Sequence, residues 1–211
     1  MPSLVARYLR LPISSVRWWT LGNGSHLPVI RIASPQDQLL SFRNVAEVHV
    51  LSGVLCQDRE HVPLAIVRAA LTLLEEHVGS PHPLCAPAML SGGKEFFAAR
   101  FGALTGMSRH GQVAISAMLG AYLERIEWSE RGDPARLLIF TRGHPEGPRY
   151  VMLDPEVRSG EPCITKTTVT TAEVSERFGE GESVMALARS YGRSPDEIEE
   201  AVRYGSHVRW P

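Results

Sequence analysis

The sequence of 211 residues predicts an α+β protein that is mainly helical. Hydrophobic residues recur every three or four positions over long stretches, which is typical of helices with one buried face. Short apolar stretches rich in β-forming residues lie between these helices. Near the C-terminus, Thr170 with Glu173 and Ser194 with Glu197 match the capping box that opens a helix. The composition, with 44% hydrophobic and 21% charged residues, is that of an ordinary globular protein.

Two stretches rich in turn-forming residues divide the chain into three regions. Residues 80–90 contain three prolines, and residues 154–162 combine prolines with glycine and serine. We expect residues 1–80 to form a winged helix-turn-helix that binds DNA, and residues 81–154 to form a central α/β scaffold or dimerisation region. Residues 155–211 are expected to form a three-helix module that contains a second helix-turn-helix.

The N-terminal region begins with two short predicted helices within residues 4–20. Leu11-Pro12 separates them, and Ser14 is a suitable N-cap for the second because its hydroxyl can accept an unpaired backbone N–H. Of the two adjacent tryptophans, Trp19 is the better candidate for the core. Trp18 is then expected to lie on the surface.

A hairpin and two longer helices are predicted next. The stretches LPVIRI and LLSF flank a polar turn at residues 34–37, which indicates the hairpin that would form the wing. Helical spacing follows at residues 44–55 and again at residues 64–78, where Gly79 ends the second helix. Both helices have one apolar face, so each is expected to pack against the other.

The central region predicts three strands and one helix. KEFFAARF, RLLIFTR and RYVMLD have the composition of strands, and residues 112–126 have helical spacing. Its aromatic residues are expected to be core. In an alternative interpretation they line a site for a small ligand: Phe96, Phe97, Phe101, Trp128 and Phe140.

Three helices are predicted at the end of the chain, and capping boxes open the first and third. Pro195 fits the first position of the third helix, where its missing N–H costs nothing. The residues expected to face inward are Val174, Phe178, Val184, Leu187, Ala188, Tyr191, Ile198, Ala201 and Val202.

Charge is distributed unevenly along the chain, although the formal net charge is −1. Residues 1–36 carry four arginines and no carboxylate, whereas residues 173–205 carry eight acidic and four basic residues. Phosphate contacts depend largely on Lys and Arg, which displace counterions from the nucleic acid. The N-terminal helix pair is therefore suited to DNA, and the acidic C-terminal module is better suited to a protein partner.

The charge distribution indicates where the candidate binding residues lie. For DNA they are Ser14, Ser15, Arg17 and Trp18 at the start of the second helix, with Arg31 and Arg43 beside the hairpin as further phosphate contacts. For the protein partner they are Glu199, Glu200 and Arg203. The acidic residues that open the last helix also have a simpler explanation, because carboxylates there complement the helix dipole.

Catalysis and metal binding are not expected from this sequence. His82 and Cys85 are close in the chain, but no second pair of ligands accompanies them, and a closed zinc site needs four. Gly92-Gly93-Lys94 lacks the remaining residues of a phosphate-binding loop. No cofactor is predicted. Three widely spaced cysteines and the lack of a long apolar run are consistent with a cytoplasmic location and no membrane span.

The C-terminal segment resembles a small bacterial domain found in antitoxins of the VapB type. The matching residues are Pro162, Ile164, Thr167, Val169, Gly181-Glu182-Ser183, Leu187-Ala188, Tyr191, Glu197, Ile198 and Ala201. The sequence departs from this pattern at Lys166, where such proteins commonly have glycine before the threonine. The resemblance therefore does not predict a tight turn at that position.

The remainder of the chain is similar to long members of the same group, through LLSFRNVAEVHVLSGV, PLAIVRAALTLLEE, HPLC, GQVAI and YLERIE. The first ~75 residues also resemble the MerR type of winged helix-turn-helix. These resemblances imply an antitoxin that pairs with a PIN-domain ribonuclease toxin and binds its own operator DNA. A homodimer is expected because helix-turn-helix proteins commonly read paired half-sites. The alternative is a MerR-like regulator that acts alone and responds to a small ligand.

Overall fold

The computed structural model describes residues 1–24, 26–55, 62–140 and 147–207. The chain forms two compact units, residues 1–134 and residues 135–211. Nine α-helices lie within the described ranges, together with four short strands that follow chain order in a small antiparallel sheet. The predicted α+β class with mainly helical content is confirmed. No helix in the described part of the chain is long and apolar enough to cross a membrane.

The first unit opens with the two predicted helices, α1 (Pro2–Leu9) and α2 (Ile13–Leu21). Arg10 ends α1 in the left-handed conformation, and Pro12 then caps α2 with its carbonyl, which accepts the backbone N–H of Val16 at 3.2 Å. Ser14 is therefore not the N-cap, because it already lies inside the first turn of α2. Trp19 is 4% exposed and belongs to the core, as predicted.

The hairpin predicted after α2 does not form paired strands in the described residues. The polar turn at residues 34–37 is present, but only an isolated bridge between Ser34 and Leu39 spans it. The N–H groups of Val29 and Ile30 both donate to the carbonyl of Trp19, and that of Ala33 donates to the side chain of Asn44. These backbone N–H groups of the first predicted strand and its end therefore bond to residues of α2 and α3 and not to a partner strand. The prediction of paired wing strands is wrong.

Four helices form the body of the first unit: α3 (Phe42–Leu55), α4 (Leu64–Val78), α5 (Gly93–Thr105) and α6 (Arg109–Leu123). The bounds predicted for α3 and α4 are confirmed to within two residues. α3 is central, since every residue from Ala46 to Val54 is buried, and α4 ends at Gly79 as expected. α6 begins three residues earlier than predicted because the hydroxyl of Ser108 caps it.

KEFFAARF lies in α5, so its prediction as a strand is wrong. Aromatic residues favour strands, but Phe97, Ala98 and Phe101 are buried at the spacing of one helical face. The rings of Phe97 and Phe101 pack with centroids 5.6 Å apart, and Phe96 stacks on His77 at 3.9 Å. Phe97 and Phe101 are therefore packing residues of α5.

The strands are β1 (Ile126–Trp128), β2 (Pro134–Leu138), β3 (Val151–Leu153) and β4 (Cys163–Ile164). β2 and β3 are antiparallel and pair Leu137 with Leu153, while β3 and β4 pair Met152 with Cys163. The strands predicted in RLLIFTR and RYVMLD are confirmed at β2 and β3. The turn predicted between them covers residues 143–148, and residues 143–146 of it lie outside the described residues.

The second unit ends in the predicted three helices, α7 (Thr171–Gly179), α8 (Val184–Tyr191) and α9 (Pro195–His207). Their core contains Val174, Leu187, Ala188, Ile198 and Ala201, as predicted, with Ile164 from β4. Phe178 departs from the prediction because 42% of it is exposed.

Only one of the two predicted capping boxes is complete. Ser194 and Glu197 bond reciprocally, since each backbone N–H donates to the other side chain at 2.9 and 3.3 Å. At α7 the hydroxyl of Thr170 accepts the N–H of Glu173 at 3.1 Å. The Glu173 carboxylate instead accepts the hydroxyl of Tyr191 at 2.8 Å, which joins α7 to α8.

A tight turn forms at Lys166 although glycine is absent there. Lys166 has φ 62°, and the N–H of Thr167 donates to the carbonyl of Ile164 at 3.0 Å. A left-handed conformation costs a residue with a Cβ about 1–2 kcal/mol. The hydrogen bond from Thr167 to Ile164 therefore stabilises the turn against the local preference of Lys166.

Lys166→Gly is expected to raise the free energy of unfolding by about 0.5–1 kcal/mol, because glycine adopts positive φ without steric cost. Chemical denaturation monitored by circular dichroism measures this. Lys166→Ala is the control, since alanine removes the same side chain and keeps the Cβ. Equal stability of the two variants would contradict the backbone explanation.

Candidate nucleic-acid and partner interfaces

The predicted DNA contacts at the start of α2 share one exposed face. Ser14, Arg17 and Trp18 are exposed and occur at positions i, i+3 and i+4, so they lie side by side on the helix. We call these three residues the α2 face. Ser15 is half-buried beside them, while Val16 and Trp19 hold the opposite side of α2 in the core. The four predicted residues thus lie within five consecutive positions of α2.

The two further candidate phosphate contacts, Arg31 and Arg43, are ion-paired in the structure. Arg31 lies 3.1 Å from a carboxylate oxygen of Glu75, and Arg43 pairs with Asp133. Both pairs are solvent-exposed, and such pairs are worth about 0–1 kcal/mol. A phosphate at either arginine would have to displace a carboxylate.

Beside Arg43, a buried polar cluster ties the segment before α3 to that helix. The Asn44 side chain accepts the N–H groups of Ala33 and Ser41 and donates to the carbonyl of Arg31 at 2.6 Å. Glu47 accepts a hydrogen bond from Asn44 and lies 2.9 Å from Nδ1 of His82. This cluster was not recognised from the sequence, since its members are far apart in the chain.

The chemistry around His82 and Cys85 is that of a packed interior. Burial raises the pKa of the Cys85 thiol far above its usual range, and the nearby Glu47 raises it further. Burial also raises the pKa of Glu47, although hydrogen bonding from His82 and Asn44 opposes this. Among the described residues, no three His, Cys, Asp or Glu side chains are grouped so that they could hold a metal ion.

A cleft of about 500 Å³ lies beside the α2 face. Among the described residues, its polar and aromatic lining includes Ser15, Trp18, Trp19, Asn23 and His26. Its apolar wall comes from the end of α3 and the start of α4: Leu55, Val62, Pro63, Leu64 and Ala65. No local pattern in the sequence could have revealed the cleft, because its walls come from three separate segments.

The predicted partner contacts on α9 do not all reach the surface. Glu199 and Arg203 are exposed, but Glu200 is fully buried and its carboxylate pairs with Arg203. Glu200 therefore holds Arg203 in position and is not itself open to a partner. Glu197 is occupied by the N-terminal cap of α9; burial opposes its ionisation, but hydrogen bonds from Ser194 and Arg193 lower its pKa.

Around the α7–α8 turn, a polar network and two exposed apolar residues shape the surface. The guanidinium of Arg177 donates to Glu182 at 2.6 and 2.7 Å and lies 4.9 Å from the ring centre of Tyr191. These hydrogen bonds lower the pKa of Glu182. Phe178 and Met185 flank the turn and are 42% and 53% exposed. The sequence had indicated that Phe178 faces inward, so this apolar surface was missed.

The chain is similar in sequence to known proteins over most of its length. Residues 151–205 match a family described as a protein of unknown function, DUF433. The chain is 27% identical to "Putative antitoxin VapB45" of Mycobacterium tuberculosis over 93% of its length and 89% of that protein. It is 22% identical to the uncharacterized protein Rv2308 of the same organism, over 97% of the chain and 89% of that protein.

A solved structure has the same architecture. The crystal structure of Rv2018 from Mycobacterium tuberculosis superposes with a TM-score of 0.71 at 22% identity and covers 96% of both chains. At this identity the likeness concerns the fold alone. Together with the match at residues 151–205, it means that both units, and not only the C-terminal module, are similar to known proteins.

Proposed function

We propose that this chain is the antitoxin of a type II toxin–antitoxin pair, which neutralises a PIN-domain ribonuclease by direct binding and regulates its own operon by binding DNA. The similarity to the protein named VapB45 along nearly the whole chain supports the antitoxin role. One observation carries the DNA-binding part. The α2 face is exposed within a stretch, residues 1–36, that has four arginines and no carboxylate.

The start of α2 is chemically suited to a phosphate backbone. Ser14 and Ser15 lie in the first turn, where hydroxyls and the unpaired N–H groups of the helix end can bind phosphate oxygens. Arg17 adds a positive charge one turn from the helix start, and Trp18 offers an indole ring for sugars or base edges. Val16 and Trp19 anchor the opposite side, so the face is held rigidly.

The toxin-binding part of the proposal rests on the second unit. Residues 173–205 carry eight acidic and four basic residues, so this module would repel DNA and attract a basic protein surface. Glu199 and Arg203 are its accessible polar candidates on α9, and Phe178 and Met185 add exposed apolar area. A toxin surface with basic residues around an apolar patch would complement this module.

Arg17→Ala is expected to weaken operator binding about tenfold and to lower the slope of log K against log salt by about 0.9, the value for one lost phosphate contact. Gel-shift titrations at several salt concentrations measure both quantities. Arg109→Ala is the matched control, because Arg109 is an exposed arginine in the first turn of α6. An unchanged affinity and slope for Arg17→Ala would contradict DNA binding by α2.

Co-expression with the product of the neighbouring gene tests the whole proposal. We expect that product to be a short protein with the spaced acidic residues of a PIN nuclease, to co-purify with this chain, and to arrest growth only when this chain is absent. The purified complex and the free chain should then both be assayed for binding to the operator. A neighbour that neither co-purifies nor is toxic would contradict the antitoxin role.

A further inference from the structure

Besides the cleft at α2, the first unit contains a cavity of about 220 Å³. Its lining comes from residues 27–31, from Glu47 in α3, from one side of α4 between residues 68 and 75, and from residues 81–84. A water molecule takes up about 30 Å³ of liquid, so the cavity has room for roughly seven or eight non-hydrogen atoms. This is the size of a small metabolite.

One wall of the cavity is apolar. Ile30, Leu71 and Leu84 line it, and all three side chains are buried. Binding sites for small molecules combine such walls with a few polar groups that orient the ligand. The wall therefore favours a ligand with a small aliphatic part.

Arg68 brings a positive charge to the same cavity. Its guanidinium donates to the backbone carbonyl of Leu27, and within the described part of the chain it has no carboxylate partner. Nε of Arg68 is buried and donates to none of the described residues. A carboxylate can accept two parallel N–H bonds from a guanidinium, so Arg68 favours a ligand that carries one.

Glu47 brings a carboxylate to the cavity from α3. Its side chain is buried, and its Oε2 atom accepts the Asn44 amide at 3.3 Å and lies 2.9 Å from Nδ1 of His82. Oε1 accepts no hydrogen bond from the described residues, and Glu47 lines the cavity, so this oxygen is available to a ligand. Hydrogen bonds to a carboxylate favour its ionised form. Glu47 therefore favours a positively charged donor.

Two further charged residues in the lining neutralise each other. Arg31 lies 3.1 Å from Glu75, and both line the cavity. The groups that remain for a ligand are thus the guanidinium of Arg68 and one oxygen of Glu47. They have opposite charges, and a molecule that carries both an ammonium and a carboxylate complements them.

We propose that this cavity binds a free amino acid with a small aliphatic side chain, such as valine. The carboxylate accepts from Arg68, the ammonium donates to Oε1 of Glu47, and the side chain packs against the apolar wall. The ion pair of Arg31 with Glu75 stays intact. The proposal does not depend on the antitoxin function, because the described lining contains no residue of the α2 face and none of α9.

Isothermal titration calorimetry with L-valine tests the proposal on the full chain. We expect saturable binding of one equivalent with a Kd below about 1 mM. Three analogues each lack one of the three groups: isovalerate has no ammonium, isobutylamine has no carboxylate, and glycine has no side chain. Each should bind at least roughly tenfold more weakly. Absence of saturable binding by L-valine, or an analogue that binds within tenfold of it, would overturn the proposal.

Two variants locate the binding. Arg68→Met keeps an aliphatic side chain and removes the guanidinium, and Glu47→Gln keeps the shape of the side chain and removes its charge. Each should weaken the binding of L-valine at least roughly tenfold. Arg109→Met is the matched control, because Arg109 is an exposed arginine of α6 outside the lining, and it should leave the affinity unchanged.

Thermal melting followed by circular dichroism shows which variants are folded. The two substitutions lie on different helices, so either folded variant is sufficient for the test. Wild-type affinity for L-valine in folded Arg68→Met or in folded Glu47→Gln would refute the inference.

Discussion

Gly205→Val is expected to lower the free energy of unfolding of the second unit by about 3 kcal/mol. A Cβ at this position of α9 would lie 2.0 Å from the hydroxyl oxygen of Ser175 and 2.5 Å from the backbone carbonyl oxygen of Thr171. The Ser175 side chain could rotate, but the Thr171 carbonyl belongs to α7 itself. Helices α7 and α9 would therefore have to move apart, and overpacking of this kind typically costs about 1–3 kcal/mol or more.

The separation of α7 and α9 would also break a bond between them. The hydroxyl of Ser175 donates to the carbonyl of Val202 at 3.2 Å, and the same two helices enclose the core around Val174 and Ala201. Hydrogen exchange of residues 171–205, read by mass spectrometry, reports on this unit alone. We expect its protection to fall by a factor of roughly a hundred, which corresponds to about 2.7 kcal/mol.

Ser206→Val is the control for this variant. It introduces the same side chain at the next position of α9, which is exposed. Any effect common to both variants would be due to the helix propensity of valine, and the difference between them measures the clash with α7. Equal protection factors in the two variants would contradict the close approach of α7 and α9.

Gly53→Val is expected to lower the free energy of unfolding of the first unit by about 2–3 kcal/mol. A Cβ at this position of α3 would lie 2.8–3.0 Å from three carbon atoms of the Tyr122 ring in α6. That ring has little freedom to retreat, since it is buried and lies 4.8 Å from the His49 ring. Nε2 of His49 lies 3.2 Å from the carbonyl of Tyr122, and burial lowers the pKa of His49 to about 3, so a neutral imidazole makes this contact.

A double-mutant cycle isolates the contact between α3 and α6. Tyr122→Ala removes the ring, and in that background Gly53→Val should cost at least about 1 kcal/mol less. Gly120→Val is the matched control, because the nearest atom to its Cβ is the flexible end of Lys94 at 3.7 Å. Chemical denaturation measures the free energy of unfolding of the single variants, the double variant and the control. An equal cost of Gly53→Val with and without the Tyr122 ring would rule out this contact as the reason for glycine.

The helices could be predicted wherever the local pattern and the tertiary burial agree. The predicted bounds of α3 and α4 and the predicted starts of α7 and α9 correspond closely to the structure, because hydrophobic spacing and caps such as Ser194 with Glu197 act within a few residues. KEFFAARF was misjudged because its aromatic residues favour strands locally, while the neighbouring helices bury Phe97 and Phe101 on one helical face.

The candidate sites were predictable to different degrees. The α2 face could be found because Ser14, Arg17 and Trp18 belong to one short helix, and their exposure follows from the burial of Trp19. For Glu200 the sequence was misleading, since nothing local distinguishes it from the exposed Glu199. The ion pairs of Arg31 with Glu75 and of Arg43 with Asp133 join residues 44 and 90 positions apart, which no local pattern reveals.

By itself, the sequence determined the mainly helical class, the three C-terminal helices and the contrast between an arginine-bearing beginning and an acidic end, because these depend on near neighbours and on composition. Only the tertiary structure shows that the expected wing strands do not pair. The carbonyl of Trp19 and the side chain of Asn44 accept the backbone N–H groups of Val29, Ile30 and Ala33. The tertiary structure also decided the cleft and the two close helix approaches at Gly53 and Gly205. The physical reason is the same in each case: hydrogen bonds and steric contacts between distant segments exist only once those segments are packed together.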